Sequence, residues 1–445
     1  MAAFSGARGS GPPDEPRPGA RVLLTLAGLA VVAGVAIGFV GGAFRWLLAE
    51  AEVLQAGIVG WARGVPFGWL VPIAMTAAAA ALATLLVVRL APRAIGSGIQ
   101  DVEAVQRGEM PPPPLALVPV RFVGGLLSIG SGLVLGREGP TVHMGAALGA
   151  SAARAARMGD DDVRGMQTSL SGAGLAVAFN APIAGALFVL EEIARTARLR
   201  IVVPTIVSVA VSVACARLIM GDHPDFQVAD VADPPLATLP LFVAFGVAVG
   251  LVGAGFNGLL IGMMQFFQGT LRRIPRVARA AAIGALVGAA LFLDPLTVGG
   301  GDALTQLLLA GGEIALPLVV FFFLARLLTG PLSYSAGTPG GIFAPLLALG
   351  ALLGVAFADV TTWIAPGLGG DLAVAAALVG MSALFAAVVR APVTGIVLVI
   401  ELTGVTSVTV PMLLATASAV VVATIIRSPP VYDSLRALLL RGVRP

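Results

Sequence analysis

Apolar residues dominate this chain in long stretches. Val22 to Phe44, Trp69 to Val88, Ile201 to Met220, Leu239 to Phe256, Leu372 to Val389 and Val408 to Ile426 are each long enough to cross a bilayer as a helix. Elsewhere glycine and proline cut apolar runs into pieces too short to span. Such broken helices survive in lipid only where protein buries them or they line a wet cavity. The pattern predicts an all-α polytopic membrane protein and favours a transporter or channel over a simple anchor.

The pattern also repeats. "FNAPIAGALFVLEE" from Phe179 matches "VRAPVTGIVLVIEL" from Val389 without gaps, with Ala181, Pro182, Gly185 and Glu191 facing Ala391, Pro392, Gly395 and Glu401. "GREGPTVHMGAALG" from Gly136 matches "GIFAPLLALGALLG" from Gly341 in the same order. Two ordered matches at nearly one offset indicate two related halves, residues 21–235 and 236–445. Duplicated halves with broken helices are the pattern of secondary transporters, whose ion site lies at the repeat interface. Whether the halves are parallel or inverted is open at this level.

Composition narrows the class further. Of the 445 residues 58% are hydrophobic and 11% charged, too few to cover the surface of a soluble protein of this length. All 27 basic residues are arginine, the net charge is +3, and arginine collects at short loops and ends: Arg195, Arg198 and Arg200; Arg272, Arg273, Arg276 and Arg279; Arg436, Arg441 and Arg444. In a membrane protein this is an orientation bias toward the cytoplasm, not a nucleic-acid surface, and it puts both ends inside. Residues 1–20 are polar and rich in Gly, Pro and Ser, a disordered cytoplasmic tail. The single cysteine, Cys215, lies in an apolar run and excludes a disulfide framework.

Against this background three glycine-rich stretches stand before helix-like segments: "GSGIQ" at 96–100, "GREGP" at 136–140 and "GGIFAP" at 340–345. Glycine admits close backbone approach, and a helix start leaves N–H groups unpaired and carries about half a positive charge. Several such starts converging would hold an anion without a lysine or arginine, whose full charge would retain it too tightly for turnover. Helix packing is the plainer role for any one of these motifs, but two of the three are repeat mates. Glu138 then gains a role. An intramembrane carboxylate costs about 2.5–3.5 kcal/mol on insertion scales. At an anion-binding terminus it would occupy the site while ionised and leave it when protonated. Arg137 is expected to support the motif and not to pair with Glu138.

The three motifs, in order and with "FNAPIAGALFVLEE" between them, closely resemble the CLC family of chloride channels and chloride/proton antiporters, over about residues 30–440. The resemblance implies about 18 tilted and broken helices in two inverted repeats, and a homodimer with one pore per subunit. It implies that Ser97 offers a hydroxyl to the anion, that Ile342 and Phe343 offer backbone N–H groups, and that Tyr432 closes the inner side. Glu138 resembles the outer gating glutamate and Glu192 the inner proton-transfer glutamate of the antiporter branch. Gly96, Gly98, Gly139 and Arg137 would support the loops, and Glu103 and Arg121 would pack near Glu192. Chloride and protons are the implied substrates, with no metal or other cofactor, in the inner (plasma) membrane of a bacterium.

Gln100 departs from the family, whose motif carries proline there; it keeps a backbone N–H and relaxes the first helical turn. Ser97 argues against the nitrate-preferring branch and the fluoride exporters. The regulatory CBS modules of eukaryotic relatives are expected to be absent. A passive anion channel on the same scaffold is the first alternative, opposed by Glu192. An intramembrane hydrolase using Ser97 would need a histidine base, and only His143 and His223 exist. Asp302 reads as a helix cap after "GGG", Asp160 to Asp162 as a solvated turn, and Glu401 has no evident mechanism.

Overall fold

The computed structural model describes residues 19–229, 231, 234–364 and 372–443. Among them the first half forms α1 (Ala20–Arg63), α2 (Leu70–Leu90), α3 (Ile99–Gln106), α4 (Leu117–Gly130), α5 (Glu138–Ala155), α6 (Asp160–Phe179), α7 (Pro182–Phe188) and α8 (Leu199–Met220). The second half repeats the series as α9 (Leu239–Gly269), α10 (Arg276–Leu293), α11 (Asp302–Leu309), α12 (Leu316–Ser335), α13 (Phe343–Ile364), α14 (Leu372–Val389), α15 (Pro392–Thr403) and α16 (Thr409–Ile425). A last helix, α17 (Val431–Val443), has no mate among the described residues. The polar tail expected at residues 1–20 lies outside the described residues except for its end, where α1 already begins at Ala20. The acidic run Asp160 to Asp162 is not a free turn: it forms the first turn of α6, where negative charge suits the helix dipole.

Eight helices among the described residues are long and apolar enough to cross a membrane. The best-buried spanning windows belong to α13 and α14, at 72% and 89%, against 33% in α1, α2 and α10. With α5 and α6, their repeat mates and almost wholly buried, they form the centre, while α1, α2, α9 and α10 turn apolar faces outward. A 44-residue α1 is about 66 Å long, more than twice a hydrocarbon core, so it must tilt or project. The short α3, α7 and α11 lie among these elements, which meets the demand that broken backbone in lipid be covered by protein.

Contacts between glycines and their neighbours decide the relation of the halves. Gly284 of α10 meets Thr76 of α2, and Gly288, one turn on, meets Pro72. These spanning repeat mates therefore run antiparallel, which an axis in the membrane plane produces and an axis along the normal does not. The halves are inverted. Gly34, Gly38 and Gly42 of α1 meet Ser208, Ser212 and Ala216 of α8 in turn, so those two run in parallel. Hence α1 starts on the side where Arg198 and Arg200 flank the start of α8. The tip between α9 and α10, with Arg272 and Arg273, is on that side too, so one face collects the arginines.

The two halves are tied by a reciprocal cap. Glu401 of α15 accepts the N–H groups of Ile183 and Ala184 at 2.9 and 2.7 Å, at the start of α7. Its repeat mate Glu191 accepts those of Val393 and Thr394 at 3.0 and 2.7 Å, at the start of α15. Each carboxylate satisfies the exposed donors of the helix in the other half. This is the role that the sequence left open for Glu401.

Candidate anion and proton sites

The three glycine loops are laced into one structure. Gly96 N–H donates to the Thr338 carbonyl at 3.1 Å and Gly340 N–H to the Gly96 carbonyl at 3.2 Å. Gly136 and Gly341, repeat mates, exchange antiparallel bonds of 2.9 and 2.8 Å. The starts of α3, α5 and α13 therefore converge, because each loop finds its hydrogen bonds in another loop and not in a helix of its own.

Glu138, the first residue of α5, is fully buried at this junction. Its Oε1 accepts the Phe343 N–H at 2.6 Å, while Oε2 meets no donor. A Cβ on Gly136 would fall 2.1 Å from Oε2, and one on Gly341 would fall 2.2 Å from Oε1. Glycine at both positions is what leaves room for the carboxylate.

Ser97 and Tyr432 are also fully buried, and neither hydroxyl has a hydrogen-bond partner. The two lie near each other without hydrogen-bonding geometry. The Phe343 ring is packed edge-on by Phe385 at 4.6 Å, Phe188 at 5.8 Å and Tyr432 at 5.9 Å. Two buried hydroxyls thus lie beside the first residue of α13, among aromatic rings. Buried donors without acceptors are rare, and a group of them is chemically able to receive an anion.

Glu192 sits apart from this group, in a π-helical turn at Val189–Ile193 that continues α7. It is 1% exposed; Oε2 is 3.5 Å from Arg195, and Oε1 meets no donor. The Glu103 carboxyl group lies against it, 1% exposed, with neither oxygen bonded to a donor. Arg195, partly exposed, also reaches Asp433 at 3.6 Å, so the pair stands just inside the arginine-rich face. Two facing carboxyl groups in so little water are suited to holding a proton between them.

The sequence profile described as "Voltage gated chloride channel" matches residues 79–424. The H(+)/Cl(-) exchange transporter ClcA of Yersinia pestis bv. Antiqua (strain Angola) is 36% identical over 423 residues, covering 93% of this chain and 87% of its own. The chain belongs to the CLC family. The CLC transporter ClcA of Salmonella agona (strain SL483) is similar to the same degree. Among solved CLC structures, that of a slow cyanobacterial Cl-/H+ antiporter aligns with a TM-score of 0.88 at 28% identity, over 94% of this chain and 99% of that one. A CLC-type fluoride/proton antiporter at 22% identity shares the fold, with a TM-score of 0.75.

Two expectations for this CLC chain need correction. Arg121 does not pack near Glu192. It is fully buried behind the first glycine loop, donating to the Gly96 carbonyl at 2.5 Å and to His143 Nδ1 at 2.7 Å. The reason is helical geometry: Asp101 and Glu103 are two residues apart on α3, so they face about 200° apart. Arg121 joins the Asp101 face through His143, whose Nε2 lies 3.2 Å from Asp101, and Asp101 in turn binds Arg93 at 2.7 and 2.9 Å. A guanidinium can only donate, so His143 accepts at Nδ1 and carries its proton at Nε2. Gly98, at φ +86°, is required here, since a Cβ would lie 2.3 Å from His143. The cation beside Glu192 is Arg195 instead, at a helical spacing of three that the sequence did show.

Asp302 is not a side-chain cap. Gly301, at φ +102°, holds the cap position, and Asp302 binds Arg137 at 3.0 Å. Arg137 also reaches Asp225 at 2.9 Å and the Ala178 carbonyl at 2.8 Å, and Arg45 shares Asp225 at 2.7 Å. Arg137 thus braces the Glu138 loop without pairing with it. Asp225, in the loop after α8, belongs to no motif and was invisible in the sequence.

Proposed function

We propose that the protein is a proton-coupled chloride antiporter: chloride passes the cage formed by Ser97, Tyr432 and the backbone of Ile342 and Phe343, and protons move in the opposite direction by way of Glu138 and Glu192. The observation that carries this is the Glu138 carboxylate seated on the Phe343 N–H, because one donor then serves either the protein's own anion or a transported one. While ionised, Glu138 competes with chloride; protonation removes the competitor and loads the proton in one event. The buried Glu103 and Glu192 pair gives protons a separate station on the arginine-rich face, which is the cytoplasmic one by the usual charge bias. The relatives named as exchangers support the same reading.

Every residue of the cage comes from one chain, so each subunit of a homodimer would hold a complete pathway in the bacterial inner membrane. The exchange needs no metal or cofactor. A passive channel would need no carboxyl pair in the position of Glu103 and Glu192. A hydrolase at Ser97 finds no ready base, since both ring nitrogens of His143 are committed to Arg121 and Asp101 and His223 is exposed in the loop after α8.

Reversal potentials in planar bilayers test the proposal. An antiporter's potential shifts when a pH gradient is imposed at fixed chloride. A potential that follows the chloride gradient alone would leave the channel and remove the exchanger.

A further inference from the structure

Two backbone donors on the anion route are occupied by side-chain oxygens, and the two occupations mirror each other. In the outer one, Glu138 of the first half holds the Phe343 N–H at the start of α13 in the second. In the inner one, Tyr334 of the second half holds the Ser97 N–H, at 3.1 Å, just before α3 in the first. Tyr334, next to last in α12, is 2% exposed, and its hydroxyl also meets the side chain of Gln100. Gln100 is 6% exposed and its Oε1 meets no donor; the Ser97 Oγ beside it is unpartnered too.

A cavity of about 740 Å³ reaches this point from the arginine-rich face. It is flanked by Arg272, Arg273 and Arg276, all exposed, and ends on Gly96, Gln100 and Tyr334 without reaching Ser97 or Tyr432. An anion gathered by those arginines therefore meets Tyr334 and Gln100 before the cage.

We propose that Tyr334 is an inner latch: its hydroxyl oxygen competes with chloride for the Ser97 N–H, and Gln100 holds the hydroxyl in place. The latch is the neutral counterpart of Glu138. A phenol oxygen blocks the donor more weakly than a carboxylate, so it slows and weakens anion entry from the cytoplasmic side without carrying a transported proton. Gln100, where the family motif has proline, supplies an amide that proline could not. The inference rests on the anion route proposed above.

The test is chloride binding by isothermal titration on purified Tyr334→Phe and Gln100→Leu, with chloride and proton flux in proteoliposomes. Tyr334→Phe keeps the ring and removes the competitor. It should bind chloride about fivefold more tightly, the worth of one neutral hydrogen bond, and move it faster with the proton-to-chloride ratio unchanged. Gln100→Leu should act in the same direction by about twofold. Should Tyr334→Phe not fold, Gln100→Leu decides alone. Equal or weaker chloride binding in the folded variants would overturn the latch. Failure of the parent protein to bind or move chloride would instead remove the anion route itself, so the two failures are distinguishable.

Discussion

Glu138→Ala takes away the oxygen that the Phe343 N–H reaches at 2.6 Å, and leaves the loop that presents the N–H intact. A hydrogen bond to a charged acceptor contributes about 1.5–3 kcal/mol. A chloride ion taking that donor in the parent protein must displace a competitor of this strength. At about 1.4 kcal/mol per factor of ten, its removal should tighten chloride binding by roughly 10- to 100-fold near neutral pH. The pH dependence follows with a fixed sign. In the proposed exchange ionised Glu138 competes and protonated Glu138 does not, so binding to the parent should strengthen as pH falls, and binding to Glu138→Ala should lose that slope. Isothermal titration of chloride at several pH values reads both quantities. The reasoning is refuted if the variant binds no tighter than the parent and keeps its slope, since the carboxylate would then not share a donor with the anion.

Other substitutions separate coupling from scaffolding. Glu192→Gln should pass chloride while proton movement stops, measured as paired fluxes in proteoliposomes; intact coupling would move the inner proton station elsewhere. Glu191→Ala and Glu401→Ala each strip two N–H acceptors from a helix start in the other half, and should each destabilise the fold by about 2–4 kcal/mol. Thermal unfolding in detergent checks this against Asp222→Asn, whose exposed pair with Arg217 should change stability by under about 1 kcal/mol. Asp225→Ala leaves Arg45 and Arg137 without a shared carboxylate in a nearly dry site, and should cost about 3–5 kcal/mol in the same assay.

Much of the architecture was legible because membrane helices announce themselves by length. The expected run Leu372 to Val389 coincides with α14, and Val408 to Ile426 differs from α16 by one residue at each end. The repeat was legible because it carries no gaps around the broken helices, and those helices hold the glycine loops. Inversion was not legible in the matches themselves, which say nothing of direction; it was expected only from the family resemblance, and the opposed contacts of α2 and α10 bear it out. The side chains assigned to the proposed route lay within motifs and could be named. Their braces could not, because Arg121 and Asp302 choose partners by three-dimensional proximity. Arg121 turned to the Asp101 face of α3, and Asp302 turned to an arginine 165 positions away. Tyr334 was the same case: an unremarked aromatic in sequence whose hydroxyl closes a loop 237 residues distant.

Uphill proton transport tests the central claim most directly. Proteoliposomes loaded with high chloride, in a low-chloride medium of the same pH, let chloride leave down its gradient. An antiporter must then draw protons inward and acidify the lumen, and a proton ionophore must collapse that gradient. Chloride efflux with no proton uptake would contradict the account.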